Sequence, residues 1–154
     1  MHIYIAKDIK KTESIKLANV IYNNFIELSK YEQLSHTKPE LERLITSPES
    51  LILLMIVNKK IAGYMIGEIK SLNDGRVVFY ISYIFTSKLF RGKGIASKLM
   101  SHVEKYSKKN NCNGILLTCD TEDDYVNNFY LMKGFMPDMV LRRYDKYDVL
   151  YKSL

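Results

Sequence analysis

The chain of 154 residues has no tryptophan, three prolines, three histidines and two cysteines, and these shortages narrow what it can be. Cys112 and Cys119 lack CxxC spacing and have no companion histidine cluster, so neither a zinc site nor a disulfide framework is supported. Cys119 reads as a core residue. His2, His36 and His102 lie far apart and form no HxxxH or HExxH pattern, and no metal is expected. Long apolar runs are missing too, because Lys59, Lys60 and Glu68 interrupt the most hydrophobic stretch. The N-terminal MHIYIAKDIKK has no signal-peptide layout. A soluble, cytoplasmic protein with no membrane partner is the expectation.

What is present, 47% hydrophobic and 26% charged residues, fits one globular domain over residues 1–154 with a single sizeable core. The formal charge of +6 admits an anionic ligand, but acids lie among the Lys and Arg residues, as on a solvated surface. Near the C-terminus RRYDKYDVLYK alternates basic and aromatic residues, a composition that suits nucleic acid. Asp145 and Asp148 break that patch, a strand face with packed tyrosines explains it more simply, and no nucleic-acid partner is expected.

Periodicity orders the elements. Residues 2 to 6 alternate as a short strand, and Ile15, Leu17, Ala18, Ile21, Tyr22, Phe25, Ile26 and Leu28 recur at helical spacing. Pro39 and ELERLI predict a second helix from near Thr37, after a polar connection from Ser29 to Lys38. Leu51 to Val57 and Ile61 to Ile69 read as a hairpin turning at Asn58-Lys59-Lys60, and Asn73-Asp74-Gly75 turns the chain into a third strand, Val77 to Thr86. A helix follows from Gly94 to Lys109, a buried strand from Gly114 to Cys119, and a helix from Asp123 to Met132 with Gly134 at its C′ position. Met139 to Tyr144 and Tyr147 to Leu154 are expected as closing strands. The order predicts an α/β fold whose mixed sheet is flanked by helices.

The segment Arg91 to Ser97, RGKGIAS, lies where a strand passes into a helix. Unpaired N–H groups at a helix N-terminus and the positive end of its dipole suit a phosphate. Gly92 and Gly94 leave that backbone approachable, and Arg91 and Lys93 add charge. Two isolated glycines alone fit a turn and cap better than a phosphate site. GxxxxGK[ST] is absent, so no Walker loop is present, and Ser97 replaces the third glycine of a dinucleotide fingerprint, which would also follow the first strand of a parallel sheet rather than a meander.

The run ISYIFTSKLFRGKGIASKLM resembles motif A of the GNAT superfamily of N-acetyltransferases, with Arg91-Gly92-Lys93-Gly94-Ile95-Ala96 matching its [QR]-x-x-G-x-[GA] signature. Asn128 to Phe135 resembles the FYxxxGF segment of motif B. The resemblance implies a GNAT-like, mostly antiparallel mixed sheet and an acetyl-CoA-dependent N-acetyltransferase that moves acetyl to a primary amine by direct transfer in a ternary complex. Acetyl-CoA would be the co-substrate, a small molecule or peptide the acceptor, and a homodimer is compatible. A non-catalytic acyl-CoA-binding sensor or interaction domain is the alternative.

By the same resemblance, Arg91, Gly92, Lys93, Gly94, Ile95, Ala96 and Ser97 form the pyrophosphate loop, and Ile84, Phe85 and Thr86 offer main chain to the pantetheine arm at a strand edge that must be splayed. Tyr130 matches the tyrosine near the coenzyme sulfur, where a phenol of pKa about 10 can return a proton to the leaving thiolate. Without that resemblance it would be a half-buried packing residue. The attacking amine must be neutral, and Glu68, or Tyr80 through water, is a candidate base, although a surface strand carboxylate is the plainer reading of Glu68. Many members carry Asn where this chain has Asp123, and Val126 replaces a common Ala. Asp123 suits a helix cap, and Asn127, one turn later, is the candidate coenzyme contact in its place. The acceptor pocket is expected between the first two helices, the Ser29 to Lys38 connection and the strands around Asp145, with Tyr22, Glu27, Tyr31 and His36 as polar and aromatic contacts.

Overall fold

The computed structural model describes residues 2–6, 15–20, 22–23 and 38–154. Among these residues seven strands form one sheet: β1 (His2–Ala6), β2 (Ser50–Val57), β3 (Lys60–Ser71), β4 (Val77–Thr86), β5 (Gly114–Asp120), β6 (Met136–Pro137) and β7 (Tyr147–Ser153). Their order across the sheet is β1-β2-β3-β4-β5-β7-β6, antiparallel throughout except for the parallel pair β4 and β5. Three helices join them: α1 (Lys38–Thr46), α2 (Ile95–Lys109) and α3 (Asp124–Met132). Residues 15–20 and 22–23 are helical as well. No helix among the described residues is long and apolar enough to cross a membrane.

Turn chemistry sets the meander. Asn58 and Lys59 both adopt positive φ, the backbone of a two-residue hairpin turn, and Gly75 at φ 92 closes the next, where its N–H donates to the Leu72 carbonyl at 3.1 Å. Alternation along β2 then sorts the core to two faces. Leu51, Leu53 and Met55 join Met65, Phe79 and Ile81 under Leu99 and Val103 of α2. Ile52 joins Ile66 and Tyr83 under Ala18 and under Leu41 and Ile45 of α1.

An irregularity in β4 decides the site. Ile66 pairs with Tyr83 but Gly67 pairs with Ile81, so Ser82 is an extra residue, a β-bulge. A side chain at Gly67 would put its Cβ 2.5 Å from the Tyr80 carbonyl oxygen and 2.5 Å from the Phe79 ring, so only glycine lets the strands close there. The bulge re-phases β4. Phe79 and Ile81 face α2, while after it Ile84 keeps that face and Tyr83 and Phe85 turn to the other.

Two expected boundaries move. The closing strand expected over Met139 to Tyr144 is not extended; β6 is Met136–Pro137, paired with Tyr151 and Leu150, and Met139 is 90% exposed. The cause is Asp138, whose carboxylate accepts the N–H groups of Val140 and Leu141 and turns the chain away from the sheet. Ile21 and residues 24–28 of the first predicted helix, and the Ser29 to Lys38 connection before Lys38, lie outside the described residues, among them Glu27, Tyr31 and His36.

Candidate functional site

β4 and β5 run side by side for three residue pairs only, Val78 with Gly114, Phe79 with Ile115 and Tyr80 with Leu116. Beyond Tyr80 they part. Among the described residues the edge of β4 facing β5 then has no strand neighbour up to Thr86, and neither has the matching edge of β5 up to Asp120. Each arm keeps its outer partner, β3 for one and β7 for the other. The result is a cleft between two strand edges that have no strand partner among the described residues.

At the end of the β4 arm a 3₁₀ turn, Lys88–Phe90, leads into the glycine loop. Gly92 and Gly94 both adopt left-handed backbone, at φ 76 and 77, and no atom lies within 4 Å of where a Cβ would sit on either. Both glycines are therefore required by conformation, and the space above them is open. Gly94 is the N-cap of α2 and supplies no side-chain cap, and the first turn carries no acid. The first backbone bond of the helix is Lys98 N–H to the Gly94 carbonyl at 3.0 Å, and the N–H groups from Gly92 to Ser97 find no acceptor among the described residues. Six consecutive donors without an acceptor among the described residues thus lie at the positive end of the α2 dipole, beside the open space over Gly92 and Gly94. Arg91 folds back so that Nε donates to the Thr86 carbonyl at 3.3 Å, and the Lys93 ammonium lies 5.5 Å from the centre of the Phe90 ring. The side chain of Ile95 is buried, so only its backbone faces the loop.

Ile84, Phe85 and Thr86 stand on the free edge of β4. The side chains of the first two are packed, Ile84 at the border of the main core and Phe85 stacked on Tyr64 at 5.3 Å.

On the β5 arm, α3 begins with Asp123, whose carboxylate accepts the Val126 N–H at 3.1 Å as the predicted cap. The helix ends where Gly134, at φ 93, lets the Phe135 N–H reach the Tyr130 carbonyl and the Gly134 N–H reach Leu131. Between them sits Tyr130, 7% exposed, with its ring against Phe129 at 5.4 Å and Phe135 at 5.6 Å. Its hydroxyl has no hydrogen-bond partner among the described residues. Burial first, then the nearby Cys119 and the Asp123 carboxylate, pushes its pKa well above the ordinary phenol range, so it stays protonated at neutral pH. Cys119, buried beside it, is pushed up to about 12 by the same desolvation and by Asp123, Asp120 and Asp148, and stays a thiol.

The opposite face carries the other candidate. Glu68 pairs across the strands with Tyr80, and Lys70 serves both, with Nζ 3.6 Å from the Glu68 carboxylate and 4.6 Å from the centre of the Tyr80 ring. Tyr80, the last β4 residue paired with β5, sets its hydroxyl 3.4 Å from that of Thr118, so the two bridge the cleft where it opens. Glu68 and Tyr130 therefore approach the cleft from opposite faces of the sheet. Asn127 spends both of its amide hydrogens inside the fold, on the carbonyls of Asp120 and Asp123. The C-terminal basic residues are tied to acids, Arg142 to Asp148 at 3.6 Å and Arg143 to Asp145 at 2.8 Å.

A family model described as the Acetyltransferase (GNAT) family matches residues 19–135. The chain belongs to the GNAT acetyltransferase family. Solved structures of other members share its fold. It is similar to an acetyltransferase of the GNAT family from Staphylococcus aureus, at 20% identity and a TM-score of 0.75 over 99% of each chain. It is also similar to the PaiA N-acetyltransferase of Thermoplasma acidophilum in complex with coenzyme A, at 15% identity and a TM-score of 0.74 over 100% of each chain. A chain of the NatC complex bound to Gag peptide and CoA matches at 18% identity and a TM-score of 0.71, over 100% of this chain and 99% of that one. None of the curated proteins matches it in sequence. The mixed, mostly antiparallel α/β sheet is thus that of a GNAT acetyltransferase, and its general chemistry is acyl transfer.

Sequence reasoning missed the bulge at Ser82 and the bridge from Tyr80 to Thr118. Gly67 inside an apolar strand was the available signal for the first. The second required knowing that β5 lies beside β4.

Proposed function

We propose that this GNAT protein is an acetyl-CoA-dependent N-acetyltransferase that acetylates a primary amine by direct transfer in a ternary complex. The observation that carries the reading is the run of unengaged N–H groups from Gly92 to Ser97 at the mouth of a parted strand pair. A diphosphate fits there because two left-handed glycines keep the space above the amides open and Arg91 and Lys93 supply cations. The free edge at Ile84, Phe85 and Thr86 suits the amides of a pantetheine arm laid along it as a strand. The coenzyme bound by the PaiA neighbour and the peptide bound in the NatC neighbour agree with such a pair of ligands.

Acetyl-CoA would supply an acetyl thioester and leave as the thiolate; the rest falls to the chain. Tyr130 holds a proton at its phenolic oxygen on the coenzyme side. On the acceptor side Glu68, with Tyr80 and Thr118 across the opening, is the group to take a proton from the amine. A lysine-like amine needs roughly 4–5 kcal/mol to become neutral at pH 7, which a carboxylate linked through water offsets in part. The substrate is a small-molecule or peptide amine. Coenzyme release from acetyl-CoA, measured across a panel of peptide N-termini, lysine peptides, polyamines and aminoglycosides, tests the reading. Coenzyme binding without turnover on any amine would favour a non-catalytic acyl-CoA sensor instead.

A further inference from the structure

Asn127 ties α3 to the open arm of β5. Its Nδ2 donates to the Asp120 carbonyl at 2.6 Å and to the Asp123 carbonyl at 2.9 Å, and its Oδ1 accepts from the Cys119 thiol at 3.5 Å. The opposite amide orientation would set oxygen against two carbonyl oxygens, so this network fixes it. One side chain thereby engages the last two residues of β5 and the N-cap of the helix that follows. The arm needs such a tie. Beyond Leu116, β5 has lost β4, and Cys119 and Asp120 are held at their other edge by Asp148 and Tyr147 of β7.

Tyr130 follows Asn127 by three positions and so shares its side of α3. Its ring is packed, but its hydroxyl has no partner among the described residues to orient it. Where that hydroxyl points is set by how α3 is seated on β5.

Resting on the transfer reading above, we infer that Asn127 is a positioning residue, whose side-chain latch seats α3 so that the Tyr130 hydroxyl faces the departing sulfur. In that step the acetyl C–S bond breaks as the C–N bond forms, and sulfur takes the phenolic proton. The proton from the amine passes to solvent by way of the base, and solvent returns one to the phenolate. The latch serves the coenzyme through geometry, because its donors are already engaged.

The test is a double-mutant cycle on the full chain. Asn127→Leu should lower kcat about ten- to hundredfold while the dissociation constant of coenzyme A, by calorimetry, stays unchanged. In a Tyr130→Phe background the same substitution should cost nothing further, since no proton remains to be placed. An equal loss in both backgrounds, or a rise in the dissociation constant matching the fall in kcat, overturns the latch. Asn127→Asp keeps the volume and removes both donors, and serves if the leucine variant fails to fold. A wild-type protein that binds coenzyme A but acetylates no amine overturns the transfer reading alone. The latch is then read by ¹³C-tyrosine NMR, in which the uncharged Asn127→Leu should shift the Tyr130 resonance; an unmoved resonance overturns it.

Discussion

Arg76 and Asp138, 62 positions apart, meet in a two-pronged ion pair, Nη1 to Oδ1 at 2.7 Å and Nη2 to Oδ2 at 3.0 Å. The same guanidinium holds Asp74 and lies over the Tyr151 ring at 4.6 Å, so one arginine pins the turn before β4 to the loop after β6. The Arg76 hydrogen bonds, with the N–H groups of Leu141 and Val140, hold the Asp138 carboxyl below its ordinary value of 3.8. A carboxylate depressed in the folded state stabilises fully above its unfolded value and loses that contribution as pH falls through the folded one. Asp138→Asn should cost about 2–4 kcal/mol in urea unfolding at pH 7. The gap between wild type and variant should narrow as the pH drops below 3.8. A gap constant through the acid range would sink the assignment.

Gly94→Ala places a side chain at a left-handed N-cap, which costs about 1–2 kcal/mol from backbone strain alone. Its methyl also enters the space proposed for the diphosphate. Coenzyme affinity should fall about tenfold or more beyond the stability change. Gly75 is the control, with φ 92 and equally open surroundings at the other end of β4. Gly75→Ala should show the same loss of melting temperature and leave coenzyme binding alone, and parallel losses of binding in both variants would refute the loop.

Tyr130→Phe removes only a hydroxyl that the fold does not use, so thermal stability and coenzyme affinity should hold while kcat drops about 10²- to 10⁴-fold. Steady-state kinetics beside a melting curve check it. Unchanged turnover would return Tyr130 to a packing role.

Glu68→Gln keeps the strand pairing with Tyr80 and removes the carboxylate. The rise of kcat/KM with pH should flatten, and an amine supplied at a pH where it is already neutral should be acetylated at near wild-type rate. A profile of unaltered shape would move the base elsewhere, to water held by Tyr80 and Thr118.

The order of elements was legible because each rests on local chemistry. Apolar spacing marks α2, the Asn73-Asp74-Gly75 turn marks the start of β4, and Lys133-Gly134 marks the end of α3. Asp123 as a cap was readable for the same reason, since it contacts a residue three positions away. What was hidden depends on long-range pairing. Met139 to Tyr144 reads as a strand until Arg76 is known to capture Asp138, and Asn127 reads as a ligand contact until the Asp120 carbonyl is found beside it. The bulge at Ser82 left only a faint mark, the change of phase from Phe79 and Ile81 to Ile84. Glu68 and Tyr80 are neighbours solely through register, which the sequence does not display.

Three residue pairs between β4 and β5 are the whole strand ladder between the four-strand half of the sheet and the three-strand half. Mechanically the molecule is two plates sharing a short hinge, with α2 running from one to the other. A ligand lying in the cleft acts as a splint, because its polar groups supply the cross-strand bonds that the parted edges lack. At a hundredfold excess over its dissociation constant such a splint adds about 2.7 kcal/mol. The amides that gain most protection from hydrogen exchange should be those of Ser82 to Thr86 and Leu117 to Asp120 that face the cleft, on both plates at once.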